Sequence, residues 1–308
     1  MSTSTIVLAT DLSANAAFAA RWAHSYSALT GARVVAVQIL EISVPNWLRD
    51  AHGALEDPSR RAVLHDKVRA WYKTHTHGAE LDDVVVESGN IDDEIGRVAK
   101  AQGATLIVMA KSGKSALTKF LAGSTAQMLA AQPPMPVVFV HPDHSRVSRD
   151  TSLVVATDLT VTAERALVAG ALLAKSTGTS LDIVHAANIE LPEGMDELPE
   201  SMRPNNLNAA ARIQFDKVIA EHDDDLSDVD YTTHIIHSSP VSAVQGFVEQ
   251  NDVDIVLLGN AKEYTLITNM FRRVSVKLMQ TLPATVVVVP PESKLPDFDE
   301  IANASPEE

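Results

Sequence analysis

The sequence predicts two α/β domains in tandem, each a doubly wound, mostly parallel sheet of five strands with helices on both faces. The first supporting observation is an internal repeat. Residues 6–13 are I-V-L-A-T-D-L-S and residues 153–160 are L-V-V-A-T-D-L-T, almost half the chain apart. The second is that short apolar runs alternate with segments of helical periodicity in both halves. Strands that are apolar throughout indicate parallel sheets that helices cover on both faces.

Length and composition favour two globular domains. The chain has 308 residues, of which 45% are hydrophobic and 21% are charged, as is typical of proteins with buried cores. The net charge of −15 argues against nucleic-acid binding, because phosphates would be repelled. Cysteine is absent, no apolar run approaches the roughly 20 residues of a membrane span, and residues 1–5 do not resemble a signal peptide. We therefore expect a cytoplasmic protein without a membrane or nucleic-acid partner.

In the first half, five strands alternate with four helices. Runs rich in Val, Ile, Leu and Ala predict the strands at residues 6–10, 33–40, 84–87, 105–110 and 137–140. Helical periodicity predicts the helices at residues 14–30, 58–77, 91–102 and 124–131. We assign residues 1–141 to the first domain and the polar, Pro-containing residues 142–150 to a linker.

The second half repeats this order. Its strands are predicted at residues 153–157, 180–186, 231–237, 254–259 and 285–289, and its helices at 163–175, 207–222, 241–250 and 269–280. We assign residues 151–291 to the second domain. Residues 292–308 are acidic, contain proline and have few apolar side chains, which predicts a disordered tail.

The candidate binding site lies in the first half, after the fourth strand. In such sheets, ligands bind outside the carboxyl ends of the strands, at the point where the strand order reverses. Gly113 and Gly123 allow the backbone to approach a ligand and to adopt positive φ, and Gly123-Ser124 opens a helix whose amino end attracts anions. The same loop carries three lysines on an otherwise acidic chain: Lys111, Lys114 and Lys119. These features predict a phosphate-bearing ligand.

Two common phosphate-binding motifs are excluded. Gly113-Lys114-Ser115 resembles the end of a P-loop, but Val108 stands where that motif requires a glycine. A G-x-G-x-x-G dinucleotide motif is absent after the first strand of either half.

The pattern over both halves resembles the universal stress protein family. The family's aspartate after the first strand, followed by a hydroxyl residue, occurs twice, as Asp11/Ser13 and Asp158/Thr160. Its glycine after the third strand matches Gly89. Its nucleotide motif, G-x2-G-x9-G-[ST], matches four positions with alanine in place of the first glycine: Ala110, Gly113, Gly123 and Ser124.

The resemblance implies a stress-response regulatory protein, not a metabolic enzyme, whose first domain binds ATP as a signal of energy or stress state. Mg²⁺ would be held by the phosphates, and at most slow hydrolysis would occur. Adenine and ribose would lie near Asp11 and Ile39, and the phosphates near Gly113, Gly123, Ser124 and Thr125. The alternative is a retained loop that binds nothing, since a Cβ at position 110 would cost on the order of 1 kcal/mol if that position required positive φ.

Asp11 and the second half each leave an alternative open. Asp11 is either a ligand contact or the cap of the first helix, a role that Ser13 could also take. In the second half, Gly259 keeps the first glycine of the motif, but Lys262 and Arg272 replace the others, and Val274-Ser275 stands two residues beyond the Gly-Ser position. We expect no nucleotide there. The alternative function for the whole chain is a scaffold whose second half binds a different ligand or a partner protein.

No catalytic residue or metal site is predicted. No nucleophile has a recognisable activating base. Histidines His75, His77, His141 and His144 are expected to be exposed, and His185, His234 and His237 to be buried and hydrogen-bonded, rather than to ligate a metal. The short apolar last strands are expected to pair the halves as an intrachain pseudo-dimer, with a homodimer as a further possibility.

Overall fold

The computed structural model describes residues 4–41, 58–112, 123–187, 204–260 and 266–291. The chain divides into two compact units, with the boundary between Ser148 and Arg149. The predicted tail at residues 292–308 lies outside the described residues. Among the helices that the structure describes, none combines the length and apolar character that a membrane crossing requires.

The first unit is a parallel sheet with strand order β3-β2-β1-β4-β5. Its strands are β1 (Thr5–Ala9), β2 (Arg33–Glu41), β3 (Asp83–Gly89), β4 (Leu106–Ala110) and β5 (Val137–Val140). Its helices are α1 (Ala16–Thr30), α2 (Pro58–His75), α3 (Ile91–Ala101) and α4 (Ser124–Ala131). The helices α1 and α2 contact each other, and so do α3 and α4. This pairing is expected when parallel strands are joined by right-handed crossovers, which put the two pairs on opposite faces of the sheet. The core strand β1 is buried along its whole length.

The second unit repeats this topology, with strand order β8-β7-β6-β9-β10. Its strands are β6 (Leu153–Thr157), β7 (Leu181–Ala186), β8 (Tyr231–Ile236), β9 (Ile255–Gly259) and β10 (Thr285–Val289). Its helices are α5 (Val161–Thr177), α6 (Pro204–Glu221), α7 (Asp223–Leu226), α8 (Pro240–Asn251) and α9 (Leu266–Thr281). The prediction of two doubly wound α/β units is confirmed.

Some details differ from the sequence-based expectation. The helices α6 and α9 begin at Pro204 and Leu266 and not near residues 207 and 269, and the short helix α7 was not expected. The segment predicted as a linker starts with a 3₁₀ turn at Pro142–His144. Val147 in that segment is buried, and its N–H donates to Ser25 Oγ in α1 at 2.9 Å. The beginning of the linker therefore packs on the first unit.

Gly170, inside α5, packs directly on the sheet. A Cβ at this position would approach Val155 Cγ2 in β6 to 2.3 Å. We expect Gly170→Ala to lower the free energy of unfolding by about 1 kcal/mol, because the overpacking cost exceeds the gain in helix propensity. The matched control is Gly246 in α8, where a Cβ would meet open space. Gly246→Ala should raise the free energy of unfolding by about 0.5–1 kcal/mol. Urea unfolding measures both variants, and shifts of the same sign would contradict this packing.

Candidate functional site

The strand order of the first unit reverses between β1 and β4. These two strands are paired in parallel, with Ile6 opposite Leu106 and Leu8 opposite Val108. The helices that follow them, α1 and α4, pass to opposite faces of the sheet. A crevice opens at such a switch point beyond the carboxyl ends of the strands, so the segments after β1 and after β4 are the ones that can bind a ligand.

The segment after β1 is a turn held by its own side chains. Leu12 has φ of 59°, in the left-handed region that costs a leucine about 1–2 kcal/mol. Its N–H donates to Thr10 Oγ1 at 3.0 Å, and the next N–H, of Ser13, donates to Asp11 Oδ1 at 2.9 Å. These two bonds give the backbone amides the partners that a strand or helix would otherwise supply, which offsets the strain.

The second unit contains the same turn. Leu159 has φ of 61°, and its N–H donates to Thr157 Oγ1 at 3.1 Å. The N–H and the hydroxyl of Thr160 both donate to Asp158 Oδ1, at 3.0 Å and 2.5 Å. The Thr-Asp-Leu turn is thus a structural feature of both units.

Ser13, and not Asp11, caps α1. Its Oγ accepts the N–H of Ala16, the first residue of the helix, at 3.1 Å. Asp11 instead accepts from the turn amide of Ser13. The sequence left two roles open for Asp11, a ligand contact or the helix cap. The cap is provided by Ser13.

The segments after β1 and β4 contact each other. Asn15 Nδ2, just before α1, donates to Ser112 Oγ at 3.1 Å. On the other side, the N–H of Gly123 donates to the carbonyl oxygen of Lys111 at 3.1 Å. This bond fixes the amino end of α4, which begins at Ser124, next to the end of β4. The structure therefore brings together the Asp11 turn, Lys111-Ser112 and the first turn of α4.

Several predicted site residues can be placed in this arrangement. Ser124 is exposed and Thr125 is half-buried in the first turn of α4, where backbone amides have no intrahelical carbonyl to bond. Gly123 has φ of −64° and ψ of 160°, so it does not use the positive φ that glycine allows. The absence of a side chain leaves room for a ligand at this position. Gly113, Lys114 and Lys119 lie outside the described residues.

Alanine at position 110 carries no backbone strain. Ala110 is the last residue of β4, opposite Val140, and is not among the residues with positive φ. Gly259 at the corresponding place ends β9 and does not have positive φ either. The strain energy that a Cβ would cost at a residue with positive φ therefore does not apply to Ala110.

Ile39 and Gly89 lie further along the sheet. Ile39 is a half-buried residue of β2, opposite Glu87 of β3. Gly89 ends β3 with φ of 153°, and a Cβ there would come within 2.9 Å of Glu94 Cγ. Two strands separate β3 from β4, so Gly89 is not adjacent to α4. The glutamates near it are paired with arginine: Arg97 binds both Glu87, at 3.1 Å, and Glu94, at 2.7 Å.

Two buried basic side chains lie side by side after β4 and β5. Lys111 is 8% exposed and His141 is 7% exposed. Burial lowers the pKa of Lys111 to about 7. Burial, assisted by the positive charge of Lys111, lowers the pKa of His141 to about 4. The expectation that His141 is exposed is wrong. Its place directly after the buried strand β5 was the signal that could have indicated its burial.

The second unit does not build the same arrangement. Its helix α9 begins at Leu266, so Val274 and Ser275 lie inside the helix, where their amides bond to preceding carbonyls. Ser275 is buried, and its Oγ donates to the carbonyl of Gly259 at 3.1 Å. Asn260 stands where the first unit has Lys111, directly after the strand. Lys262 lies outside the described residues.

The remaining histidines have hydrogen-bond roles or face solvent. His185 Nδ1 lies 3.0 Å from the carbonyl oxygen of Thr157, and His234 Nε2 lies 2.7 Å from Asp182 Oδ1. Both are half-buried, whereas His237 is exposed, contrary to expectation; His77 is exposed, and His75 and His144 are half-buried. Within the described part of the chain, no group of three or more His, Asp or Glu side chains could hold a metal ion.

Acid is expected to destabilise the first unit through His141. The pKa of this histidine is about 4 in the folded protein and about 6.5 when unfolded. Between these values the unfolded chain binds more protons, so its contribution to stability is complete above pH 6.5 and is lost as the pH falls towards 4. Urea midpoints at pH 7 and pH 5 should differ less in His141→Gln than in the wild type. His77→Gln is the exposed control, and equal acid sensitivity of all three proteins would refute the assignment.

Comparison with known proteins identifies the family. The model of the universal stress protein family matches residues 3–141 and 151–290. The "Universal stress protein in QAH/OAS sulfhydrylase 3'region" of Thermus aquaticus is 34% identical over 136 residues, which cover 44% of this chain and 97% of that protein.

Solved structures share the fold. A universal stress protein from Archaeoglobus fulgidus DSM 4304 superposes with a TM-score of 0.68 at 18% identity, covering 94% of this chain and 100% of the other. A functionally unknown protein from Pseudomonas aeruginosa PAO1 superposes with a TM-score of 0.62 at 13% identity, covering 99% and 98%. At these identities the likeness concerns the fold alone. Because the family model matches most of the chain in two consecutive stretches, the chain belongs to the universal stress protein family and carries two of its domains in tandem.

Proposed function

We propose that the first unit binds ATP and that its occupancy reports energy or stress state to a partner protein. The observation that carries this proposal is that α4 begins near the Asp11 turn, at the switch point of the sheet. The Gly123 N–H bond to Lys111 fixes that helix start at the end of β4. A helix amino end offers free amides and a positive dipole to phosphate.

Each predicted residue has a role in this proposal. The phosphates would bind the first-turn amides at Ser124 and Thr125, and Mg²⁺ would be held by the phosphates. Gly123 supplies room for close approach, since a side chain there would stand at the helix start. The Asp11 carboxylate, which accepts the N–H of Ser13, would also accept a hydrogen bond from a ribose hydroxyl, because a carboxylate can accept several hydrogen bonds. Ile39 would contact the base.

The second unit is proposed to bind no nucleotide. Its α9 begins eight residues before Val274, so the amides at the Gly-Ser position are used inside the helix. We also propose that the chain is not an enzyme beyond slow hydrolysis of bound ATP, because the described residues around the Asp11 turn include no nucleophile paired with a base. Its cytoplasmic location remains a prediction.

A scaffold without nucleotide is the second candidate function. The observation that favours it is the Thr-Asp-Leu turn of the second unit, which is intact although the motif beside it is degenerate. Since the turn alone does not require a ligand, the whole chain could serve as an interaction scaffold. Failure of the wild type to bind ATP would favour this second candidate.

Asp11→Ala tests the proposed site with an internal control. Asp158 occupies the same place in the equivalent turn of the second unit, so Asp158→Ala removes the same kind of turn bond. We expect Asp11→Ala to weaken Mg-ATP binding by about tenfold or more, which corresponds to the loss of one hydrogen bond to a charged group. Asp158→Ala should bind as the wild type does.

Isothermal titration calorimetry with Mg-ATP measures all three proteins. Equal affinities of Asp11→Ala and the wild type would place the nucleotide elsewhere. Equal weakening in both variants would mean that the turn acts through stability and not through contact.

A further inference from the structure

Two arginines of the first unit lie close together without an acidic partner. Arg21 is a half-buried residue of α1, and Arg146 is an exposed residue of the segment that follows the 3₁₀ turn at Pro142–His144. Within the described part of the chain, neither guanidinium forms a hydrogen bond or an ion pair. The chain has 40 acidic and only 25 basic residues, so two neighbouring arginines without a carboxylate are unexpected.

A backbone contact holds Arg146 against α1. The peptide N–H that joins Arg146 to Val147 donates to Ser25 Oγ at 2.9 Å. Val147 is 4% exposed, so burial also fixes this part of the segment. Ser25 lies one turn after Arg21, on the same face of the helix. The backbone of Arg146 is therefore placed beside the face of α1 that carries Arg21.

The side chain of Arg21 is held by an aromatic ring. Its Cζ atom lies 4.6 Å from the centre of the Phe18 ring. A guanidinium over a ring keeps its N–H donors, which lie in its plane, available to another group. Burial, and then the positive charge of Arg146, lower the pKa of Arg21. The two guanidiniums are thus close enough to repel each other.

The second unit shows that this arrangement is not needed for the fold. Counted back from the glycine that ends each first helix, Val168 takes the place of Arg21 and Leu172 takes that of Ser25. The arginine, and the serine that holds the segment, are both apolar residues in the second unit. A unit of the same topology therefore forms without them, and their presence in the first unit indicates another role.

We propose that Arg21 and Arg146 form a binding site for a phosphate dianion on the first unit. Guanidinium groups bind phosphate through paired N–H···O hydrogen bonds. A dianion neutralises both positive charges, whereas chloride or a monocarboxylate neutralises only one. The inference does not depend on ATP binding, because none of the residues proposed to contact the nucleotide belongs to this site.

Calorimetric titration with sodium phosphate tests the site at pH 8, where phosphate is mainly a dianion, and at constant ionic strength. Arg21→Gln and Arg146→Gln should each weaken phosphate binding about tenfold, since each removes a charged hydrogen-bond donor. Arg212→Gln is the matched control. Arg212 is exposed and already pairs with Asp216 at 3.0 Å, so its loss changes the net charge equally and should leave phosphate binding unchanged.

Urea unfolding adds a readout that a merely structural role would not produce. In chloride alone, Arg146→Gln should unfold at a slightly higher urea concentration than the wild type, because it removes repulsion between like charges. In phosphate the order should reverse, since the wild type gains more stability from binding. The general stabilisation by phosphate as a salt acts on the wild type and on every variant alike.

Two results would overturn this inference. The first is a wild type that binds no phosphate, or that binds it no more tightly than both arginine variants do. The second is equal stabilisation of the wild type and Arg146→Gln by phosphate. Either result leaves the proposal of ATP binding intact, and failure of the wild type to bind ATP leaves this site intact. Arg146 is exposed, so its substitution is not expected to prevent folding.

Discussion

The two units differ chiefly in where the helix after the fourth strand begins. In the first unit, α4 begins at Ser124. The residue before it, Gly123, donates its N–H to the carbonyl at the end of β4. In the second, α9 begins at Leu266, and the equivalent amides are bonded inside the helix. Two sheets of the same topology thus differ in where the helix after the fourth strand begins, and so in which backbone amides lie in its first turn.

The Thr-Asp-Leu turn, unlike the helix start, is the same in both units. Leu12 and Leu159 adopt the same left-handed conformation, and a threonine and an aspartate accept the amides on either side. The turn carries the chain from the central strand into the first helix, which every such unit needs whether or not it binds a ligand. The aspartate is therefore in the first place a structural residue of the turn. Its proposed part in ligand binding concerns the first unit alone, where α4 begins near the turn.

Most of the fold followed from the sequence because its signals are local. Short segments rich in Val, Ile and Leu located most of the ten strands, although β7 and β8 are interrupted by polar residues. The repeat of T-D-L indicated the two units. The start of α9 at Leu266 was placed three residues late, although Thr265 before it is a residue type that favours a helix N-cap. The site was predicted in part: the motif located Gly123 and Ser124, but it did not indicate that Lys111 and His141 are buried. The place of His141 directly after the buried strand β5 was a signal that could have been used, whereas a lysine such as Lys111 is ordinarily exposed and its burial had no local signal.

Native mass spectrometry of the intact chain with excess Mg-ATP tests the central claim most directly, because it counts nucleotides per chain. One open helix start and one degenerate motif predict a single bound nucleotide, which Asp11→Ala should weaken and Asp158→Ala should leave in place. Two bound nucleotides would contradict the claim that the longer α9 closes the second unit. A chain that binds none would contradict the claim that the open start of α4 makes the first unit a nucleotide site.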